Sequence, residues 1–151
     1  MNIFILDKDP VIAAKYCCDK HVVKMIVESV GLLSNAMWSI VGYGPYKKSH
    51  YNHPCSIWAR SSLENYQWLW LHCHALGKEY TERYNKFHKS HQTLLKDVPF
   101  ELSFEKKDLT PFMNCTPYKD IADIVEAYRH YYRIDKRYFA KWKNNNCPDW
   151  F

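Results

Sequence analysis

Apolar residues recur along this chain at helical spacing. Val22, Met25, Ile26, Leu33, Met37 and Ile40 fall on one side of a helical wheel, and their period of about 3.6 residues predicts an amphipathic helix. Upstream, Asp9 stands where a cap belongs and Pro10 where a first helical residue belongs. The helical region is therefore expected to open there and to reach about Ile40, continuous or broken near Asp19. Gly42-Tyr43-Gly44-Pro45 ends it. A second long region is predicted from Pro54 or Ser61 to about His88, with Leu69, Cys73, Leu76, Tyr80 and Tyr84 inward and Trp68, His72, Glu79 and Arg83 on the adjoining flank.

Elsewhere the pattern is weaker. Residues 1–9 form a short apolar run, read as a strand or an extended arm. Prolines at 99, 111 and 117 and the lack of a sustained period predict a long connection over 90–118, with one short strand at Phe100 to Phe104. Lys119 to Ile134 reads as a third helix with Ile121, Ile124, Val125 and Tyr128 inward, followed by a short aromatic helix around Tyr138 to Trp142. The tail Cys147-Pro148-Asp149-Trp150-Phe151 ends the chain with aromatics that read as exposed. The fold class expected is all-α, with at most one or two short strands, as a compact single-domain helical bundle over residues 1–151.

Composition narrows this. A hydrophobic share of 47% with only four glycines excludes a disordered or fibrous chain and disfavours a turn-rich barrel. The opening residues lack a basic segment followed by a long apolar one, so the six cysteines are read as reduced thiols of a cytoplasmic protein. No run approaches the ~20 apolar residues of a membrane span, and no membrane partner is expected. A net charge of +5 with 17% aromatic residues suits phosphate neutralisation and base stacking, pointing to DNA or a nucleotide as partner, although ordinary soluble domains carry similar charge. Oligomeric state is not encoded in any of these features.

The first helix carries the leading candidate chemistry. With His21 at 0° on the wheel, Lys24 falls near 300° and Glu28 near 340°, at about 100° per residue, so an imidazole, an ammonium and a carboxylate share one edge beside the apolar stripe. Such a trio can shift its members' pKa values for acid-base or Schiff-base work; as a surface edge it is an ordinary i,i+4 ion pair. The segment from His50 to Arg60 adds Asn52, His53, Trp58 and Arg60, a mixture of donors, indole and guanidinium able to grip a phosphate and an extruded base, or to form a packed helix start. Lys20 and Trp150 are further candidates for nucleic-acid or nucleotide contact. Glu79 and Arg83 read as a helix-stabilising pair. The histidine pairs 50/53, 72/74 and 88/91 lack the paired Cys-x-x-Cys spacing of structural zinc sites, so no metal and no cofactor is expected.

The whole chain resembles a group of small bacteriophage proteins with Cys-Asp-Lys-His-Val-Val-Lys-Met near the start, Asn-His-Pro in the middle and Pro-x-Trp-Phe at the end. More distantly it resembles the phage pyrimidine-dimer DNA glycosylases of the endonuclease V type. That resemblance rests on Asp19-Lys20-His21 followed seven residues later by Glu28, on the helix Trp70 to Tyr84, and on the tail Pro148-Asp149-Trp150-Phe151. It implies an all-helical enzyme whose terminal α-amine attacks the sugar C1′, releases the base through an imine and cleaves the strand by β-elimination. Glu28 would be its essential carboxylate and His21 the neighbouring imidazole. Asn2 departs from the small residue that follows the initiator in that family, which leaves Met1 as the amine, and Val27 replaces an arginine. Lys24 is the substitute imine-former. The resulting expectation is a phage base-excision glycosylase with AP-lyase activity. The alternatives are an anti-defence protein that sequesters a nucleotide or cyclic dinucleotide through Trp58, Arg60, His53 and Lys24, and a metal-dependent nuclease built on the histidine pairs.

Overall fold

The computed structural model describes residues 1–151. Six α-helices and no strand make up its regular structure, so the fold is all-α. Asp9 caps α1, Pro10–Tyr16, by accepting from the backbone N–H groups of Val11 and Ile12. The helix breaks at Cys17 and Cys18, and α2 runs from Asp19 to Ile40. Pro54 and the serine pair each mark a helix start: α3 is Pro54–Ala59, and α4, Leu63–Tyr84, is capped by Ser62. Asn85, at φ 53°, ends α4 in the left-handed region. α4 packs along both α1 and α2.

Four expectations for the second half are corrected. Lys89–Asp97 is a helix, α5, hidden in sequence by its nine-residue length. It lies so close to α4 that a Cβ on Gly77 would sit 2.2 Å from His91 Cγ. Phe100 to Phe104 is not a strand, and Tyr138 to Trp142 is not a helix. The third predicted helix is shorter than expected: α6 spans Ile124–Tyr131, capped by Asp123, and relaxes into a wider π turn through Lys136.

The long connection stays ordered because α4 supplies it with hydrogen bonds. The first-turn N–H groups of Leu63 and Glu64 donate to the Lys106 and Lys107 carbonyls at 3.0 and 2.9 Å, where a helix start has no internal acceptor. Asn65 exchanges bonds with Thr110, and the indole of Trp70 donates to Val98 O.

Glu79 and Arg83 are not a surface pair. Arg83 is buried and engages four acceptors at the α1–α2 break: Glu79 Oε2 at 2.9 Å, Asp19 Oδ1 at 3.1 Å, and the carbonyls of Cys17 and Lys15 at 2.8 and 3.0 Å. The guanidinium thus closes the end of α1 and orients the start of α2. The tail's aromatics are likewise not exposed: Trp150 packs edge-on against Tyr16 with Arg129 over its face, and Phe151 packs on Trp142.

Two predictions follow from this packing. Arg83→Leu leaves Asp19 and Glu79 without their buried partner and should cost about 3–5 kcal/mol in chemical denaturation. Burial pushes the pKa of His21 down to about 3 and those of His72 and His91 to about 4, against an ordinary 6.5. Between those values the unfolded chain binds protons that the folded chain refuses, so stability should fall as pH drops from ~6.5 towards ~4. Urea midpoints across that range measure the slope, and His72→Phe should flatten it.

Candidate active site

Residues 3–6 are buried without strand pairing, because side chains take over the work of a sheet. Asn2 is the centre of this arrangement. Its Oδ1 accepts from the backbone N–H of Ile3 at 2.8 Å and from the Tyr128 hydroxyl at 2.8 Å, its Nδ2 reaches Cys115 O at 3.4 Å, and its backbone N–H donates to Glu28 Oε2 at 3.1 Å. Further along, Arg129 Nε donates to Leu6 O at 3.0 Å. Phe4, at φ 60°, holds a left-handed conformation that costs a non-glycine residue about 1–3 kcal/mol. Its ring stacks on His21 at 4.1 Å, and this buried contact is what the strained turn obtains.

The start of the chain therefore lies against α2, in a cleft of about 260 Å³ bounded by Met1, Asn2, His21, Lys24, Glu28 and, from the C-terminal third, Cys115, Tyr131 and Lys136. Glu28 is largely covered, with 15% of its side chain exposed, while Lys24 Nζ stands 3.6 Å away on the open side with 70% exposed. Lys136 lies over the Tyr131 ring at 4.6 Å, and Lys20 over Phe139 at 5.2 Å. The carboxylate sits inside a rim of ammonium groups and aromatic faces. Three larger grooves, of about 350, 390 and 490 Å³, lie elsewhere and include neither the chain start nor Glu28.

His21 differs from its expected role. It is buried, its Nδ1 lies 2.5 Å from the Tyr132 hydroxyl, and desolvation, then the charges of Lys136 and Lys24, push its pKa down to about 3. At neutral pH it is an uncharged platform beneath Phe4 rather than a proton donor of ordinary strength.

The second predicted group divides. His53 lies beside the cleft rather than in its lining, with a ring nitrogen within 4.8 Å of the Cys115 sulfur; its pKa is lowered by desolvation, then by the terminal amine and His50, with Glu28 acting in the opposite sense. Asn52 is exposed on the same loop. Trp58 is core, 3% exposed and packed on Trp68 and Phe112, so it has no face to offer a base. Arg60 is engaged by Tyr51 O, Ser56 Oγ and the Tyr51 ring. Trp150 is tied into the tail packing. The pair of Trp58 and Arg60 that would have gripped a sequestered nucleotide is thus committed to the fold.

Asn2, Cys115, Tyr128, Tyr131 and Lys136 were not anticipated. No helical period links residues 2, 28 and 115, and only the burial of the apolar opening run hinted that the chain start would be held inside. Cys115 Sγ lies 3.3 Å from Cys55 Sγ. Hydrogen bonding from Cys55 lowers the Cys115 thiol to about 7, aided by Lys119 and the terminal amine, while the same contact and burial push Cys55 up.

An all-α scaffold that encloses a carboxylate at the chain start, within a cationic and aromatic rim, has the layout of a protein that handles a polyanion. Residues 1–93 match the family described as pyrimidine dimer DNA glycosylase, and the chain belongs to that family. Its function is of the DNA-glycosylase type and its partner is DNA. No match is found among curated proteins or among solved structures. The matched span contains His21, Lys24, Glu28 and His53; Cys115, Tyr131, Lys136 and the Trp150 tail lie outside it. No helix is long and apolar enough to cross a membrane.

Tyr128→Phe tests the clamp while keeping the ring. It removes the bond to Asn2 Oδ1 and the acceptor for the Cys115 N–H at 3.2 Å. Thermal or urea melts should report a loss of about 1–3 kcal/mol, and base release should slow as the chain start loosens.

Proposed function

We propose that this protein is a base-excision glycosylase with AP-lyase activity that works through an imine on the α-amine at the chain start, with Glu28 as the principal carboxylate. The observation that carries this reading is the 3.1 Å contact between the Asn2 backbone nitrogen and Glu28 Oε2 inside the lysine-rimmed cleft. In the chain as translated that nitrogen is an amide and the amine belongs to Met1; removal of Met1 would turn the same nitrogen into a primary amine.

The amine lone pair forms the N–C1′ bond as the C1′–base bond breaks and the base departs with the bonding electrons. Opening of the sugar ring then gives the imine. Loss of a C2′ proton to a base expels the 3′ phosphate and cleaves the strand. Glu28 is placed to offset the positive charge that develops at C1′ and to shuttle protons at the amine. Lys24, Lys136 and Lys20 supply phosphate contacts on the rim, and Tyr131 offers a face for stacking. Lys24 is the second candidate imine-former, but it stands on the open side of Glu28 with most of its side chain in water.

Duplex DNA bearing pyrimidine dimers, incubated with the protein and reduced with borohydride, should yield a covalent adduct. Digestion and mass analysis should place it on the first peptide and show whether Met1 or Asn2 is the modified residue; an adduct on Lys24, or none, would refute the terminal-amine mechanism. Glu28→Gln should lower base release by about 10²–10⁴ while DNA binding is retained.

A further inference from the structure

Behind the chain start, His53, Cys55 and Cys115 bring one ligand atom each to within 4.8 Å of one another. The sequence gives no zinc pattern here, since the two thiols are 60 positions apart and only the fold joins them. We propose that these three residues form a binding site for a thiophilic divalent cation of the zinc class.

The donor set argues for the ion. Two thiolates and an imidazole are the ligands of zinc sites, and hard cations such as magnesium prefer oxygen. The dimensions agree as well. In a tetrahedral site with Zn–S near ~2.3 Å the sulfurs stand roughly 3.8 Å apart; here they are 3.3 Å apart, so a few tenths of an ångström of spreading admits the ion. A disulfide would instead require them to close to ~2.05 Å.

The ligands are held from behind. Cys55 lies in the first turn of α3 after Pro54, and Cys115 is fixed by the Tyr128 hydroxyl on its N–H and Asn2 Nδ2 on its carbonyl. Ligation gives up the hydrogen bond between the two sulfurs and, where Nδ1 is the ligating atom, the 3.1 Å contact from the Cys55 N–H to His53 Nδ1. Each thiol that binds releases its proton to solvent, and no oxidant is involved. Three protein ligands leave a fourth position for water or another exogenous ligand. The bound ion would clip the 98–123 connection to α3 beside the clamp formed by Asn2.

The test uses the full chain, reduced with a phosphine, stripped with chelator and titrated with Co²⁺ alone. The expected result is sulfur-to-cobalt charge-transfer absorption and strong visible bands that saturate at one equivalent, are displaced by Zn²⁺, and accompany a rise in melting temperature. Cys115→Ser and His53→Gln should each weaken or abolish the bands, and Cys147→Ser, at an exposed thiol outside the cluster, should leave them intact. Melts of the metal-free variants confirm folding; if Cys115→Ser does not fold, His53→Gln decides. Reduced protein that takes up no cobalt, bands that survive both cluster substitutions, or conversion to a Cys55–Cys115 disulfide without metal uptake would overturn the proposal.

Discussion

A buried apolar segment that forms neither helix nor strand must find partners for every backbone group it takes out of water. Residues 2–6 meet much of that requirement locally: the carboxamide oxygen of Asn2 accepts from the Ile3 N–H, the Leu6 N–H donates to Phe4 O, and Glu28 and Arg129 serve the backbone at either end, while Asn2 also ties Tyr128 and Cys115 to the segment. The position of Glu28 follows from this, since its Oε2 is the acceptor for the Asn2 N–H. So does the left-handed turn at Phe4, which brings that ring onto His21. A strand in a sheet would have satisfied the same groups and left the chain start at an edge. Side-chain satisfaction brings it into a cleft instead.

Charge is distributed around this arm with a consistent logic. The histidine beneath it is buried and kept neutral, so it adds no positive charge next to the terminal amine. The cations stand further out, on Lys24, Lys136 and Lys20, where water and a polyanion can both reach them. The one buried cation, Arg83, is ringed by two carboxylates and two carbonyls, the condition under which a buried guanidinium is tolerated.

Helical period and capping residues made α1, α2 and α4 legible in the sequence, including the Asp9-Pro10 start and the inward positions Leu69, Cys73 and Leu76. Short elements were less readable. α5 has nine residues and few apolar positions, and the Tyr138 to Trp142 segment has helical composition but leaves the helix through a turn at Tyr138 and Phe139, after which Trp142 Nε1 donates to Tyr16 O and Lys141 O accepts from Asp19 N. The site was half visible. His21, Lys24 and Glu28 share a helix edge that a wheel displays, whereas Asn2, Cys115 and Lys136 reach it through tertiary packing that has no sequence period. Trp58 illustrates the opposite error: an indole beside an arginine in a loop-like segment resembles a stacking platform, yet the indole is what anchors α3 to α4.

The family match ends at residue 93, inside α5, and the boundary divides the site by role. The matched part supplies the chain start, His21, Lys24 and Glu28. The remainder supplies the surfaces that touch them: Tyr128 and Cys115 hold Asn2, while Tyr131 and Lys136 form the wall facing Glu28. A carboxylate and an amine do not by themselves discriminate between damaged bases; discrimination requires shape and contacts on the flipped nucleotide and its flanking phosphates. The π turn that follows α6 shapes this wall of the cleft, its wider helix carrying Tyr132 inward onto His21 and Lys136 outward over Tyr131. The cleft is therefore built from two separate stretches of the chain, joined by the hydrogen bonds of Asn2.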